Sequence, residues 1–513
     1  MNIVTVDQMR HLEQQADVQF GLNSATLMEH AGRSVAEIVR SHRGGSVAQS
    51  RVLVLVGPGN NGGDGEVAAR YLQSWGAVVA RFVWRERRLE TASGSASVGA
   101  DFAEVRTALS EADIVLDAVL GTGHARPLDP SMRQLFAWVE EERRIRPSLL
   151  VVAVDLPTGL NADTGEVDSG TLRADLTITL AYPKVGMFVF PGADYIGELE
   201  IGDIGLPASL ADDLSLNLLD AATVRPLLPP RPLDSNKGTF GKAMLWAGSL
   251  PYPGSAFLAA SAAGRVGAGL VTLAVPPELA PIYAIKLSET TLHLLLPDRT
   301  ASADERARDL MAALPGYIAL LAGPGLGQSE STQALLDAVF RGLTALPASA
   351  RPRLVVDADG LNHLARSERW WEQLPAGSVV TPHPGEMTRL CGGERVSGGG
   401  PERVAVARAR AAQWGHVVVL KGACTVVAAP DGSTSLHWPP NPALASAGTG
   451  DVLAGVITGL LAQGLEPFAA ACAGVYLHGR AGLLVSARLG VAGLAASDLL
   501  PELPIAQCEV RES

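Results

Sequence analysis

Short apolar runs alternating with helical stretches dominate the chain, and this alternation constrains the fold more than any other feature. The runs fall at 51–56, 77–84, 113–117, 149–154 and 175–180. They resume at 243–247, 270–275, 317–322, 353–357, 378–381, 417–420 and 424–428. Strands alternating with helices imply mostly parallel sheets covered on both faces. The pattern breaks once, at RPLLPPRPLDSNKGTFGK (225–242), where Pro226, Pro229, Pro230 and Pro232 read as an extended linker. A chain of 513 residues exceeds one hydrophobic core. Three parts are therefore expected: a first domain over 1–222, a linker and domain entry over 223–240, and a second domain over 241–508. The start of the chain is helical, and two long apolar helices are expected near 449–463 and 467–486.

Composition narrows the function classes. The chain is 47% hydrophobic and 18% charged, which suits α/β layers. A net charge of −12 argues against a nucleic-acid partner. The basic runs RERR (85–88) and ERRIR (142–146) read as solvated faces, and TASGSASVG (91–99) and SGGG (397–400) as surface loops. The four cysteines, Cys391, Cys424, Cys472 and Cys508, form no CxxC pair and fit a reduced, cytoplasmic chain. The first residues lack a signal-peptide core, and no uninterrupted apolar stretch approaches 18 residues, so no membrane span is expected.

Glycine loops and acids gather at the strand ends, where open α/β sheets bind ligands. GPGNNGGDG (57–65) contains GxGxxG after a strand, and Glu86 stands where a dinucleotide fingerprint wants an acid. Pro58 inside the turn and Asp64 at the helix mouth depart from that fingerprint, because a carboxylate competes with phosphate for the same amides. No GK[ST] follows, so the Walker pattern fails. DAVLGTGHARP ends another strand with Asp117, and AVDLPTG ends a third with Asp155. Asn61, Asp117 and Thr158 thus bring oxygen donors from three strand ends, which suits an alkali or alkaline-earth cation.

Together LMEHAG, GPGNNGGDG, DAVLGTG, VDLPTG and TLAYPKVG resemble the YjeF N-terminal domain, the NAD(P)H-hydrate epimerase, over roughly 1–220. The resemblance implies a Rossmann-like α/β/α domain. It also implies that Asn60, Asn61, Gly62, Gly63 and Asp64 bind the hydrated nucleotide, with Gly121, Thr122, Gly123, His124, Ala125, Arg126 and Pro127. Asp155 joins them as the proton-transfer group, and potassium maps to Asn61, Asp117 and Thr158. His30 stands where the family usually has Asn, and reads as packed or capping. Thr158 stands where it usually has Ser and keeps the hydroxyl.

In the second half, AGPGLG (322–327), VVDADGLN (355–362), TPHPGE (381–386), VVLKGACT (418–425) and SAGTGD (446–451) supply the chemistry. Glycines at a helix start leave amides for phosphate oxygens. Asp451 among them cannot attract phosphate, but it can take a proton from a hydroxyl attacking phosphorus. This set resembles the ADP- or ATP-dependent NAD(P)H-hydrate dehydratase, a ribokinase-like α/β/α domain, over roughly 230–505. Substrate positions then fall on Ser255, Gly325, His383 and Asp451, and nucleotide positions on Lys421, Gly422, Ala423, Cys424, Thr425 and Gly450. Ser255 replaces the usual Ala and Asn236 the usual His; Cys424 reads as a small filler.

The resemblances imply a bifunctional enzyme that epimerises the R- and S-hydrates of NADH and NADPH (NADHX and NADPHX) and dehydrates the S form. ADP (or ATP) is the co-substrate, with K+ in the first domain, Mg2+ in the second, and a homo-oligomeric assembly. The alternative is a ribokinase-like small-molecule kinase carrying a non-catalytic YjeF-type interaction domain. Retention of Asp64, Asp117 and Asp155 favours the first reading, and the absence of a His or Tyr constellation disfavours a plain dehydrogenase.

Overall fold

The computed structural model describes residues 1–91, 96–98, 102–123, 127–396 and 402–512. It forms two compact units, Asn2–Leu214 and a second comprising Met1 with 215–396 and 402–512. Each is a mixed α/β unit built on one sheet.

The first sheet has eight strands in the spatial order Ala96–Val98, Arg88–Glu90, Val78–Val83, Arg51–Val56, Ile114–Ala118, Leu150–Val154, Leu176–Leu180 and Glu198–Gly202. The six strands from Val78–Val83 onward run parallel; Arg88–Glu90 pairs antiparallel with Val78–Val83, and Ala96–Val98 antiparallel with Arg88–Glu90. Period-two geometry splits the central strand between two cores. Val52, Val54 and Val56 join Val35, Val39, Ala68 and Leu72 of helices Ser24–His42 and Asn60–Ser74. Leu53 and Leu55 face Leu109, Leu135 and Val139 of helices Phe102–Glu111 and Pro130–Ile145. Each such leucine contributes roughly 1.5–3 kcal/mol by burial. The chain leaves strand Arg51–Val56 first to one side and later to the other. The loops after it and after Ile114–Ala118 therefore diverge and open a crevice.

The second sheet has ten strands in the order Thr291–Leu294, Leu270–Val275, Lys242–Trp246, Ala319–Ala322, Arg353–Val356, Val379–Val380, Val417–Leu420, Val426–Ala428, Thr434–His437 and Leu216–Leu219. Its direction of growth reverses between Lys242–Trp246 and Ala319–Ala322, again opening a crevice. Helix Thr449–Ala462 is buried almost throughout, packed on the sheet beside helix Pro253–Arg265. A Cβ at Gly455 would lie 2.2 Å from the Ala259 carbonyl oxygen, so glycine there sets how closely the two helices approach.

Several expectations change. The units divide at 214/215, ahead of the boundary expected at 222/223, because Leu216–Leu219 pairs with Thr434–His437 in the second sheet. The proline-dense run is no free tether. Leu228 is buried, the Arg231 guanidinium donates to the Gly267 carbonyl at 2.7 Å and lies over the Phe240 ring, and Arg511 donates to the Pro229 carbonyl. Of the basic runs, Arg146 is only partly solvated: it donates to the Ala112 and Leu109 carbonyls. In the segment read as loop 91–99, residues 96–98 form an edge strand; most of that stretch, and the expected loop 397–400, lie outside the described residues. Strands Glu198–Gly202, Thr291–Leu294 and Thr434–His437 were not anticipated, being mixed in polarity. Among the described residues one helix, Pro467–Leu489, is long and apolar enough to cross a membrane, and 67% of its apolar window is buried in the protein.

Candidate active sites

The crevice of the first unit holds a cavity of about 670 Å³. Its floor is the turn into helix Asn60–Ser74. A Cβ at Gly57 would lie 1.6 Å from the Val119 carbonyl oxygen, and one at Gly62 would lie 2.0 Å from that of Gly57. Only glycines let this turn fold so tightly and present its helix amides to the cavity.

Asp155 ends strand Leu150–Val154 with φ +65, a conformation uncommon outside glycine. Its backbone N–H donates to the Ile178 carbonyl at 2.8 Å. Its Oδ1 accepts from the Leu180 amide at 3.1 Å, the Thr179 hydroxyl at 3.3 Å and the Lys184 ammonium. Lys184, 1% exposed, also donates to Thr179 Oγ1 at 3.1 Å and the Leu180 carbonyl at 3.2 Å, so all three of its N–H groups are placed. Burial, reinforced by the charges of Asp155 and Glu13 and opposed by Lys184, pushes the Asp64 carboxyl up to about 8. Glu13 is raised by burial too, with Lys184 opposing. The cavity thus combines a buried ion pair with a carboxyl that keeps its proton at neutral pH, the division of labour proton transfer needs.

Asn60, Asn61, Asp64, Gly121, Thr122, Gly123 and Asp155 line this cavity. Gly62 and Gly63 do not: they pack against Gly57 and Met28. Pro127 is not in the lining, and His124, Ala125 and Arg126 lie outside the described residues. Glu86 does not reach the cavity; it pairs with Arg88 at 3.1 Å, and its neighbour Arg85 lines the wall instead. His30 Nδ1 meets the Ile204 carbonyl at 3.0 Å, a packing contact. Sequence reading missed Lys184 and Glu13 as site residues.

The proposed cation donors can be tested for fit. Both polar side-chain atoms of buried Asn61 lack a protein partner. Asp117 accepts from the Thr158 amide at 2.8 Å and its hydroxyl at 2.6 Å; burial raises its carboxyl despite these bonds. Thr158 Oγ1 also accepts from the Leu120 amide at 2.9 Å. Hard oxygen donors with one formal charge fit a monovalent cation better than a divalent one.

In the second unit, Gly448 (φ +89) opens helix Thr449–Ala462, so Asp451 sits within its first turn. The Ser255 hydroxyl lies beside the Asp451 carboxylate and favours its charged form. Ser249 Oγ donates to the Gly325 carbonyl at 2.7 Å, and a Cβ on Gly325 would lie 2.8 Å from Ser255 Cβ. Lys421 Nζ meets Asp357 Oδ1 at 2.7 Å and Glu386 Oε2 at 3.8 Å, and stands 3.5 Å from where a Cβ of Gly450 would be. Burial and the charge of Asp357 push Asp451 up to about 6, against Ser255 and Lys421. Burial pushes Glu386 up to about 7. Burial works against the Lys421 ammonium, but Asp357 and Glu386 outweigh it and hold its pKa above the ordinary value.

Ser255, Gly325, Gly450, Asp451 and Lys421 therefore converge. His383 caps helix Pro384–Leu390, its Nδ1 accepting from the Gly385 amide at 3.0 Å, and burial with Lys421 lowers its pKa. That acceptor leaves Nε2 as the donor in the neutral ring. Gly422 and Ala423 are exposed, while Arg403 braces the segment from beneath by donating to the Leu420 and Lys421 carbonyls. Cys424 is buried, with its thiol pushed up to about 12 by burial, which suits a filler. Thr425 Oγ1 donates to the Gly422 carbonyl at 3.1 Å.

Comparison with known proteins divides the chain similarly. The family described as YjeF-related protein N-terminus matches residues 24–186, and the family described as NAD(P)H-hydrate dehydratase matches 243–504. A bifunctional NAD(P)H-hydrate repair enzyme Nnr from Moorella thermoacetica is 39% identical, over 98% of this chain and 96% of that protein. One from Thermofilum pendens is 36% identical, over 100% of this chain and 97% of that protein. The solved ADP/ATP-dependent NAD(P)H-hydrate dehydratase from Bacillus subtilis, co-crystallized with ATP/Mg2+, is 33% identical, covering 57% of this chain and 98% of that one, with a TM-score of 0.49.

Proposed function

The chain belongs to the family of bifunctional NAD(P)H-hydrate repair enzymes, and from that premise we propose a division of chemistry between its two sites. The first, proposed as the epimerase domain, interconverts the R- and S-hydrates. The second, proposed as the dehydratase domain, uses a nucleotide to return the S-hydrate to NADH or NADPH. The observation that carries this reading is 36–39% identity, over 98–100% of this chain, to proteins named bifunctional NAD(P)H-hydrate repair enzymes.

In the first site the ring opens at the carbon bearing the hydroxyl. Asp155 takes the hydroxyl proton as the carbon–nitrogen bond breaks, and Asp64 returns a proton to the released ring nitrogen. Rotation and reclosure on the other face give the second epimer, with no net gain or loss of protons. Lys184 holds Asp155 in place and balances its charge. Potassium, held by Asn61, Asp117 and Thr158, would supply fixed positive charge beside the nucleotide.

In the second site Asp451 takes the hydroxyl proton of the S-hydrate as its oxygen attacks the terminal phosphorus of ADP and AMP leaves. The ring nitrogen's electron pair then expels phosphate, and loss of a proton from the adjacent ring carbon restores the dihydronicotinamide. The sum is hydrate plus ADP giving NAD(P)H, AMP and phosphate. Lys421 and the amides of Gly448–Gly450 hold phosphate oxygens, with Gly422–Thr425 along the nucleotide and Ser255, Gly325 and His383 at the substrate. Magnesium would enter on the nucleotide phosphates. Among the described residues no group of three or more His, Cys, Asp or Glu is arranged to hold a metal.

Incubating hydrated NADPH with the protein and either ADP or ATP tests this. Recovery of the reduced-nicotinamide absorbance band with AMP or ADP released is expected. A stable phosphorylated hydrate would point to the kinase alternative.

A further inference from the structure

We propose that Arg85 recognises the 2′-phosphate of the hydrated dinucleotide and makes the first site selective for NADPHX over NADHX. This inference rests on the epimerase reading of that site and deepens it.

The strand order gives the cavity a direction. Asp155 and Lys184 lie after strands Leu150–Val154 and Leu176–Leu180, on one side of the amides opening helix Asn60–Ser74. Arg85 follows strand Val78–Val83, on the other side of those amides, and it lines the cavity wall. Strands lie about 4.8 Å apart, so the three steps from Val78–Val83 to Leu150–Val154 span roughly 14 Å, a dinucleotide-scale distance. With the reacting ring at Asp155 and the pyrophosphate on the helix amides, the adenosine ribose falls at the end of Val78–Val83. In Rossmann-type sheets that strand end reads the ribose, by an acid for a 2′-hydroxyl or an arginine for a 2′-phosphate.

The charges at this edge select the second case. Three carboxylates of this edge are engaged by other arginines: Glu66 by Arg81 at 3.2 Å, and Glu86 and Glu90 by Arg88 at 3.1 and 3.3 Å. Arg10, the other arginine of the lining, lies 3.5 Å from Asp7. Arg85 has no ion-pair partner among the described residues. An unmatched guanidinium on the cavity wall, at an edge whose carboxylates Glu66, Glu86 and Glu90 are each paired with another arginine, is the donor set for a phosphate dianion.

The test uses the full chain without added nucleotide, following R-to-S interconversion of purified NADPHX and NADHX by NMR. Wild type should show a lower KM for NADPHX. In Arg85→Gln the KM for NADPHX should rise about 10- to 100-fold, the range for losing a hydrogen bond to a charged group, and the preference should collapse. Unchanged preference, or an equal loss for both hydrates, overturns the proposal. Calorimetry with adenosine 2′,5′-bisphosphate against 5′-AMP reads the same contact without turnover. Tighter binding of the bisphosphate, lost in Arg85→Gln, supports it; equal binding of both overturns it. Wild type that interconverts neither hydrate would defeat the epimerase reading, and the calorimetric comparison would still decide the role of Arg85.

Discussion

The two sites solve one problem in opposite ways. Each places an aspartate near glycine-rich helix amides that would otherwise favour an anion. In the first, the key carboxylate, Asp155, is locked by a lysine of its own, and Lys184 spends every donor inside the protein. Lys184 has no donor left over for phosphoryl chemistry beside Asp155, and that end of the site is suited to moving protons. In the second, Lys421 is tied to Asp357 yet stands beside Gly450, close enough to serve an incoming phosphate, while Asp451 has no lysine paired to it among the described residues. The difference is where the lysine's charge is directed, at a carboxylate of the protein or at a ligand.

Lys184→Met attacks the contrast most severely. Removing one partner of a buried ion pair costs about 3–5 kcal/mol. Thermal unfolding should show the first unit melting earlier, and epimerisation should vanish while dehydration of pure S-hydrate persists. Asp451→Asn keeps the shape of the second site but removes its base. Dehydration should fall at least 100-fold, about 3 kcal/mol of transition-state stabilisation, with epimerisation untouched in an NMR assay. Lys421→Ala should weaken nucleotide binding by about 1.5–3 kcal/mol in calorimetry. An unchanged affinity would place the phosphates elsewhere.

The mildest effects are in pH. A base acts when deprotonated, so dehydration should rise through about 6, where Asp451 titrates, and then level. An acid acts when protonated, so epimerisation should decline through about 8, where Asp64 titrates. Because the folded Asp64 binds its proton more tightly than the unfolded chain, its contribution to stability is full below about 4 and is lost as pH rises through about 8. Asp64→Asn should therefore stabilise the first unit at pH 9, by about 1 kcal/mol or more, and leave it unchanged at pH 4. Melting curves at the two values read this directly.

Much of this was legible in the sequence because glycine and aspartate act through the backbone close to where they stand. Gly57, Gly62 and Gly448 announce turns that only they permit, and Asp155 and Asp451 sit where a strand ends or a helix begins. Lys184 was not legible. Its partner lies 29 residues away in the chain, and only the parallel pairing of Leu150–Val154 with Leu176–Leu180 brings the two together. Glu13 looks like one more polar residue of an amphipathic helix until that helix closes over the cavity. Leu216–Leu219 was missed for a related reason: four residues carry too little pattern to reveal that they pair with Thr434–His437, far down the chain. Glu86 was chosen by its spacing from the glycines, which cannot register that Arg88 takes it.

The central claim is that one chain carries two separable steps, with Asp155 needed only for the first. Its most direct test is a mixed R- and S-hydrate sample supplied with excess ADP or ATP, followed at the reduced-nicotinamide band. Wild type should recover nearly all of the reduced cofactor. Asp155→Asn should recover the S fraction at the wild-type rate and then stall with the R-hydrate intact. Full recovery by Asp155→Asn at the wild-type rate, or no recovery by wild type with either nucleotide, would contradict the account.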